Sequence, residues 1–386
     1  MSRLNVGNLF NENEDGAPVV SGISTFSSPH YFVPPSGTTA QRPQNPGEGM
    51  IRFNTDSGSL EYYRGTHWEN IIVNNNDLGG GNNGFSTTNS PQGTGTRMVF
   101  GSHIHPGSDA TMEYITIDTL GNAQEFGEAT VARAQNPATM SSRTRGLFAG
   151  GYNAGTKNEI DFITFASTGD ATDFGDTSTT TRNASTGTCS NQTRGIMFVG
   201  GGPSQTNAIN YVTMSSSSNG IDFGDLNAAV GQTGTLASSV RGINFGGSPN
   251  NSTDTNRIEY ITISTTGNAT DFGDLTQAGR YQSGLSNSTR GVIHEADYPS
   301  AITTLTFVTT ASTGNAQDFG DAITAGAQFH ATGSSPTRGI FGSMGPGNLG
   351  KIEYVTIPTT GNGISFGDLV NSGGKGGGVS NGHGGL

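Results

Sequence analysis

The chain has 386 residues, 61 of them glycine, and a formal net charge of −12 with one cysteine and three lysines. The lone Cys189 excludes internal disulfides and zinc–thiolate clusters, and the acidic balance offers no basic face for a nucleic acid. No run of 18 apolar residues provides a transmembrane helix, and the opening Met1-Ser-Arg-Leu-Asn-Val-Gly-Asn8, without an apolar core, predicts no secretory signal.

Residues 1–33 carry apolar pairs without a core of their own: Leu9-Phe10, Val19-Val20 and His30-Tyr-Phe-Val33. Such a segment is predicted to be an anchoring arm, in which Phe10, Tyr31 and Phe32 bury against another protein or a symmetry mate. A short local fold is the competing reading. Residues 34–76 form a second region. Four prolines (Pro34, Pro35, Pro43, Pro46) make its start an extended connector. A β-meander follows, with strands at 50–54, 59–63 and 67–72 and turns at Asp56-Ser-Gly58 and Arg64-Gly65. A meander this small is marginal alone, so self-association is expected, a trimer being one arrangement.

From residue 77 to 386 the chain repeats itself. A phrase close to Thr-Arg-Gly-hydrophobic-Phe-Gly-Gly recurs around Arg97, Arg145, Arg194, Arg241, Arg290 and Arg338, at intervals of 47 to 49 residues. In phase with it run Phe126-Gly127, Phe174-Gly175, Phe223-Gly224, Phe272-Gly273, Phe319-Gly320 and Phe366-Gly367. A fixed period of this size means one supersecondary unit used repeatedly.

The fourth copy is the clearest. Arg241–Phe245 reads as a short strand, Arg257–Ile263 as a second of alternating β-branched and polar residues, and Thr266-Gly-Asn268 as a turn. Ala269–Phe272 begins a third strand, and 276–289 holds a weaker fourth. Four short strands per copy predict an all-β fold, a six-bladed β-propeller, with a β-solenoid as the competing architecture. Strand-ending Gly-Gly pairs resemble the kelch class of blade, but the match is partial: kelch blades also carry a Tyr and a Trp at set places, and the one Trp here, Trp68, lies outside the repeats. Both 79–95 and 370–386 look like the weak fourth strand, and one of them must close the ring.

The stretch Pro35-Ser-Gly-Thr-Thr-Ala-Gln-Arg-Pro43, with Gly49-Met-Ile-Arg-Phe-Asn-Thr-Asp56, Leu60-Glu-Tyr-Tyr-Arg-Gly65 and Trp68, resembles a module of tailed-bacteriophage virion proteins, notably fibres and appendages of cyanophages. The Thr-Arg-Gly and Gly-Asn-Ala-x-Asp-Phe-Gly-Asp-Leu phrases resemble kelch-like repeats of structural proteins from the same phages. The two resemblances span residues 34 to 370. They imply a virion protein assembled in the host cytoplasm and no catalytic residue.

Among candidate sites, the six repeat arginines could line an anion-binding channel. Their presence in every copy, beside acids such as Asp173/Asp176, Asp222/Asp225, Asp271/Asp274 and Asp318/Asp321, favours structural pairing. Those acids lack the dense spacing of calcium loops, and no metal or cofactor is expected. Asp-Phe-Gly matches the kinase triplet by letters only, no sialidase box occurs, and no Gly-x-Ser-x-Gly elbow sits between a strand and a helix. His103-Ile-His105 presents two imidazoles on one strand face without a third ligand. The fifth copy replaces Gly-Gly with a cluster of His294, Glu295, Asp297 and Tyr298, a tentative binding face with His103 and His105. The leading expectation is a non-enzymatic virion component anchored by its N-terminal region, with a host-surface glycan as an outward partner. A carbohydrate-binding, lectin-like propeller is the alternative, and a glycan-degrading enzyme ranks last.

Overall fold

The computed structural model describes residues 34–56, 59–70, 96–101, 109–133, 138–181, 188–200, 205–295, 300–325, 331–343, 350–370 and 376–386. The arm with Phe10, Tyr31 and Phe32 lies outside them. Contacts divide the chain into two units, 1–78 and 79–386.

In the first unit the meander forms as the alternation predicts. β2 (Ile51–Asn54), β3 (Ser59–Tyr63) and β4 (Trp68–Asn70) pair antiparallel, and the connector adds β1 (Ser36–Gly37) parallel to β2. With too few apolar residues for a core, the sheet is built around a buried carboxylate. Glu61 accepts from Arg42 Nη2 at 2.5 Å and Asn54 Nδ2 at 3.0 Å, with Arg52 Nη1 at 3.6 Å. The Arg42 hydrogen bond holds the Glu61 carboxyl below the usual carboxylate range.

Among the described residues the second unit contains six four-stranded sheets, each antiparallel throughout. In the first, β5 (Arg97–Gly101), β6 (Asp109–Thr116) and β7 (Gln124–Arg133) come from the first copy. The next is β8 (Ala138–Ser141), β9 (Arg145–Ala149), β10 (Lys157–Thr164) and β11 (Thr172–Thr181). Then follow β12 (Thr188–Ser190), β13 (Arg194–Phe198), β14 (Ala208–Thr213) and β15 (Ile221–Asp225), and β16 (Gly234–Ala237), β17 (Arg241–Phe245), β18 (Thr255–Thr262) and β19 (Thr270–Gly279). The fifth is β20 (Ser283–Ser286), β21 (Arg290–His294), β22 (Thr304–Thr309) and β23 (Gln317–Asp321). The sixth is β24 (Ala331–Ser334), β25 (Arg338–Ser343), β26 (Lys351–Thr356) and β27 (Ile364–Asp368).

The first sheet takes its innermost strand from far along the chain. β28 (Gly377–Ser380) pairs antiparallel with β5, from Gly377 opposite Gly101 to Ser380 opposite Met98. Of the two segments that resembled a fourth strand, the one after residue 370 therefore completes the first sheet; 79–95 lies outside the described residues. The six inner strands touch in cyclic order, β8 to β12, β16, β20, β24, β28 and back to β8.

Hydrophobic burial follows the same order. Each of six core clusters draws on two adjacent sheets; Phe245 and Phe272 of the fourth, for example, meet Ile293 and Val308 of the fifth. Because a sheet has neighbours on both faces, the strand after each repeat arginine is buried at every position, as in Gly146-Leu-Phe-Ala149.

Two glycines per copy answer to this packing. A Cβ on Gly224 or Gly273 would lie 2.5 Å from the carbonyl oxygen of Gly267 or Gly314 in the next copy's turn, which explains the Phe-Gly phrase. The glycine after the repeat arginine faces a large inner-strand side chain of the preceding sheet: Gly146 meets Val379, Gly195 meets Met140 and Gly242 meets Cys189. The first copy inverts the pair. It carries Met98 at the glycine position, and the sixth sheet answers with Gly333, whose Cβ would lie 2.6 Å from Met98 Sδ.

Candidate functional site

Each repeat arginine stacks on an aromatic ring of its own sheet and reaches the next. The guanidinium carbons of Arg97, Arg194, Arg241 and Arg338 lie 4.4 to 4.9 Å from the ring centres of Tyr114, Tyr211, Tyr260 and Tyr354; Arg145 and Arg290 do the same over Phe162 and Phe307. Each Nη1 then donates to a backbone carbonyl of the following copy: Arg97 to Phe165 at 2.7 Å, Arg194 to Ile263 at 2.9 Å, Arg241 to Thr310 at 3.1 Å. Arg145 and Arg290 follow suit toward Met214 and Ile357, and Arg338 of the sixth copy reaches Ile117 of the first at 3.1 Å. The arginines are half-buried and bond copies together, but not through carboxylates: no ion pair among the described residues includes one.

Removing one should cost a charged hydrogen bond and a stacking contact. Arg241→Ala is expected to lower stability by about 2 kcal/mol, moderated by its partial exposure. Urea denaturation measures this, and an unchanged midpoint would remove the structural role.

The recurring acids sit on the outer strand with Asp173, Asp222, Asp271 and Asp318 exposed. What recurs is a bond from the backbone of the second acid of each pair, although the Asp321 carboxylate also accepts from Thr303 Oγ1 at 3.1 Å. The Gly-Asn turn of the following copy caps that backbone, Asn268 Oδ1 accepting from Asp225 N and Asn315 Oδ1 from Asp274 N, both at 3.0 Å. The cycle closes with Asn122 Oδ1 accepting from Asp368 N at 3.0 Å. No cluster of metal-ligating side chains occurs among the described residues.

A third set of bonds runs backward from a buried polar residue in the third strand of each sheet, at Glu113, Asp161, Asn210, Glu259, Thr306 and Glu353. Glu113 accepts from Val370 N at 2.9 Å, Glu259 from Asn227 N at 3.2 Å and Glu353 from Ile323 N at 2.7 Å. In the fifth copy Thr306 is too short, and Glu295 supplies the carboxylate instead. It accepts from Thr276 N at 3.1 Å, Thr276 Oγ1 at 2.5 Å and Thr306 Oγ1 at 2.9 Å.

This settles where His294 and Glu295 lie. They are 3% and 0% exposed, inside the sheet packing rather than on an accessible face. The last residue of β21 and the one after it can both be buried because the sheet is covered on both sides. Asp297, Tyr298, His103 and His105 lie outside the described residues.

The inner strands surround a cavity of about 150 Å³. Ser141, Ser190, Ser286, Ser334 and Ser380 mark one end, where hydroxyls bond neighbouring strands: Ser190 Oγ to Ser141 O at 2.9 Å, Ser141 Oγ to Ser380 O at 2.9 Å, Ser334 Oγ to Ser286 O at 2.7 Å. The segment Asn381–Leu386 crosses this end. Gly384 N donates to Ser286 O at 2.8 Å, and His383 Nε2 lies 3.0 Å from Ser141 O. Gly385 N donates to His383 Nδ1 at 3.1 Å, so the ring is neutral with its proton on Nε2.

Desolvation pushes His383 down to about 4, with the charge of Arg143 acting the same way and the Ser141 contact opposing. Burial pushes His294 to about 4 as well, against its hydrogen bond to the Ile302 backbone. Unfolded histidine titrates near 6.5, so between pH 6.5 and 4 the unfolded chain binds more protons. Stability is therefore full above pH 6.5 and falls with acidification, by about 3 kcal/mol for His294 and about 2 kcal/mol for the partly accessible His383. Glu353, its carboxyl raised by burial, opposes this trend. Comparing urea midpoints at pH 7 and 4.5 for the native chain, His294→Asn and His383→Asn isolates each histidine. A pH slope unchanged by either substitution would refute the assignment.

Compared with known proteins, the chain matches no family model and no curated protein. The features that sequence reasoning missed are the capping role of the turn asparagines, the serine four residues before Arg145, Arg194, Arg290 and Arg338, and the crossing segment at His383. The first two recur at fixed offsets and were visible as such. The last occurs once and carries no periodic signal.

Proposed function

We propose that the second unit is a six-bladed β-propeller of kelch-like repeats. We further propose that the protein is a non-enzymatic structural component of a tailed-bacteriophage particle: a fibre, a tail-associated part or a capsid decoration. Cyclic contact among six four-stranded sheets supports the propeller. The observation that carries the functional reading is that the recurring residues (the six arginines, the turn asparagines with Asp170 in the second copy, and buried third-strand carboxylates such as Glu113) are used in bonds between copies. A scaffold that commits its recurring residues to self-bonding leaves its loops free to vary, which suits a display module.

The phage resemblance of residues 34–76 and of the repeat phrases supports a place on a particle, with residues 1–76 as the attachment. Display of many copies would convert weak loop contacts with a host-surface glycan into avidity. Cryo-electron microscopy of intact particles, with and without deletion of residues 1–76, tests this. The full chain should appear as surface rings, and the shortened chain should fold but be missing from the particle. Normal occupancy by the shortened chain would place the anchor elsewhere.

A further inference from the structure

The lumen has two unlike ends. At the end crossed by Asn381–Leu386, the serine hydroxyls and His383 are consumed by hydrogen bonds. About 10 Å away, at the start of the inner strands, the fourth and fifth sheets place three polar side chains that lack protein partners. Gln282 is 6% exposed, and neither its Nε2 nor its Oε1 makes a hydrogen bond. Thr233 Oγ1 and Ser283 Oγ, in residues 6% and 7% exposed, are equally unpartnered. All three residues line the cavity, and the Gln282 carboxamide lies over Gly246, where a Cβ would come within 1.9 Å of its Oε1.

Buried polar atoms are nearly always satisfied, and each left unpaired costs about 1–3 kcal/mol. Four such atoms at one cavity end therefore point to a group that enters from outside. Its chemistry is constrained. Among the described lining residues none is Asp, Glu, Lys or Arg, and the titratable ones are Cys189, whose thiol burial pushes up, and neutral His383. A charged ligand would lose its hydration with no counter-charge in return. A primary amide presents donor and acceptor side by side, which matches vicinal hydroxyls, whereas the hydroxyls of Thr188 and Thr235 farther along the wall already donate to the carbonyls of Thr139 and Thr188. The volume corresponds to about five waters at about 30 Å³ each, the scale of one small polyol.

We propose that this end of the lumen binds a single uncharged polyol, a monosaccharide or sugar alcohol, through Gln282, Thr233 and Ser283. The site stands on the lumen alone and does not depend on the virion reading.

The test is saturation-transfer NMR on the full chain with D-glucose, D-galactose, D-mannose, N-acetyl-D-glucosamine and glycerol at millimolar concentration. D-gluconate and D-glucosamine serve as charged controls. At least one neutral probe should receive saturation and the charged controls none. Gln282→Leu and Thr233→Val should each weaken the bound probe by about tenfold or more, the loss expected when a buried hydrogen bond is removed. Thermal melts accompany both variants, and if Gln282→Leu fails to fold, Thr233→Val decides. The absence of transfer to every neutral probe, equal transfer to the charged controls, or undiminished transfer in the folded variants would overturn the proposal and leave a lumen filled by water.

Discussion

Met98→Gly and Gly333→Met are each expected to destabilise the protein, and the double substitution to recover most of the loss. Met98 is fully buried between the first and sixth sheets. Its removal leaves a cavity worth about 3–5 kcal/mol. A methionine at 333 would force its Cβ to within 2.6 Å of Met98 Sδ, an overpacking that costs about 1–3 kcal/mol or more. Combined, the two changes recreate the arrangement of Met140 and Gly195, which the second and third sheets already use. A double-mutant cycle in urea should therefore give a coupling of about 2 kcal/mol or more in the restoring direction. Additive effects would show that the two positions do not compensate each other.

Asp161→Ala should cost about 3–5 kcal/mol, the loss that follows when one member of a buried ion pair is removed. Asp161 and Arg133 are both fully buried, with Nη1 to Oδ2 at 2.6 Å. The remaining donors of Arg133 go to the carbonyls of Gly150 at 2.7 Å and Glu159 at 3.1 Å, and Thr130 donates to the other Asp161 oxygen. Without the carboxylate, the guanidinium is held in place by its carbonyl bonds with no counter-charge. Replacing both together, Arg133→Met with Asp161→Leu, should be far milder than the single change. A single substitution with no effect on the denaturation midpoint would mean that water reaches the pair.

Local strands were legible in the sequence because their signals are local. Arg241–Phe245 was predicted and is found, and the alternation predicted over Arg257–Ile263 falls on β18, which begins two residues earlier and ends at Thr262. The length of the outer strand was less visible: β19 runs on to Gly279 through Thr-Gln-Ala, residues without an apolar pattern, and its register with β18 shifts between the Arg257–Asp274 and Thr255–Gly279 pairs. The partner of the repeat arginines was misjudged for a physical reason. Acids nearby in sequence suggested ion pairs, yet alternation along the outer strand turns Asp222 and Asp271 toward solvent and Phe223 and Phe272 inward. A carbonyl 69 residues away, as for Arg194 and Ile263, has no side chain to announce it. The lumen was illegible for a related reason. Its walls are Gly, Ser and Thr, which in sequence look like loop residues, and only their convergence from six strands makes a cavity.

The pairing of β28 with β5 bears on how the molecule comes into being. Arg97 N donates to Asn381 Oδ1 across a separation of 284 residues, so the first strand of the cycle must wait for almost the whole of it to be translated. At roughly 5–20 residues per second, that delay is on the order of 15–60 seconds. Throughout it the inner edge of β5 and the apolar faces of the first sheet lack their final covering. Later sheets can assemble in turn on the nascent chain, each against the one before, whereas the first stays open to mispairing until the end. Interrupted synthesis would then leave β5 with a free edge, the state in which mispairing and aggregation are most favoured.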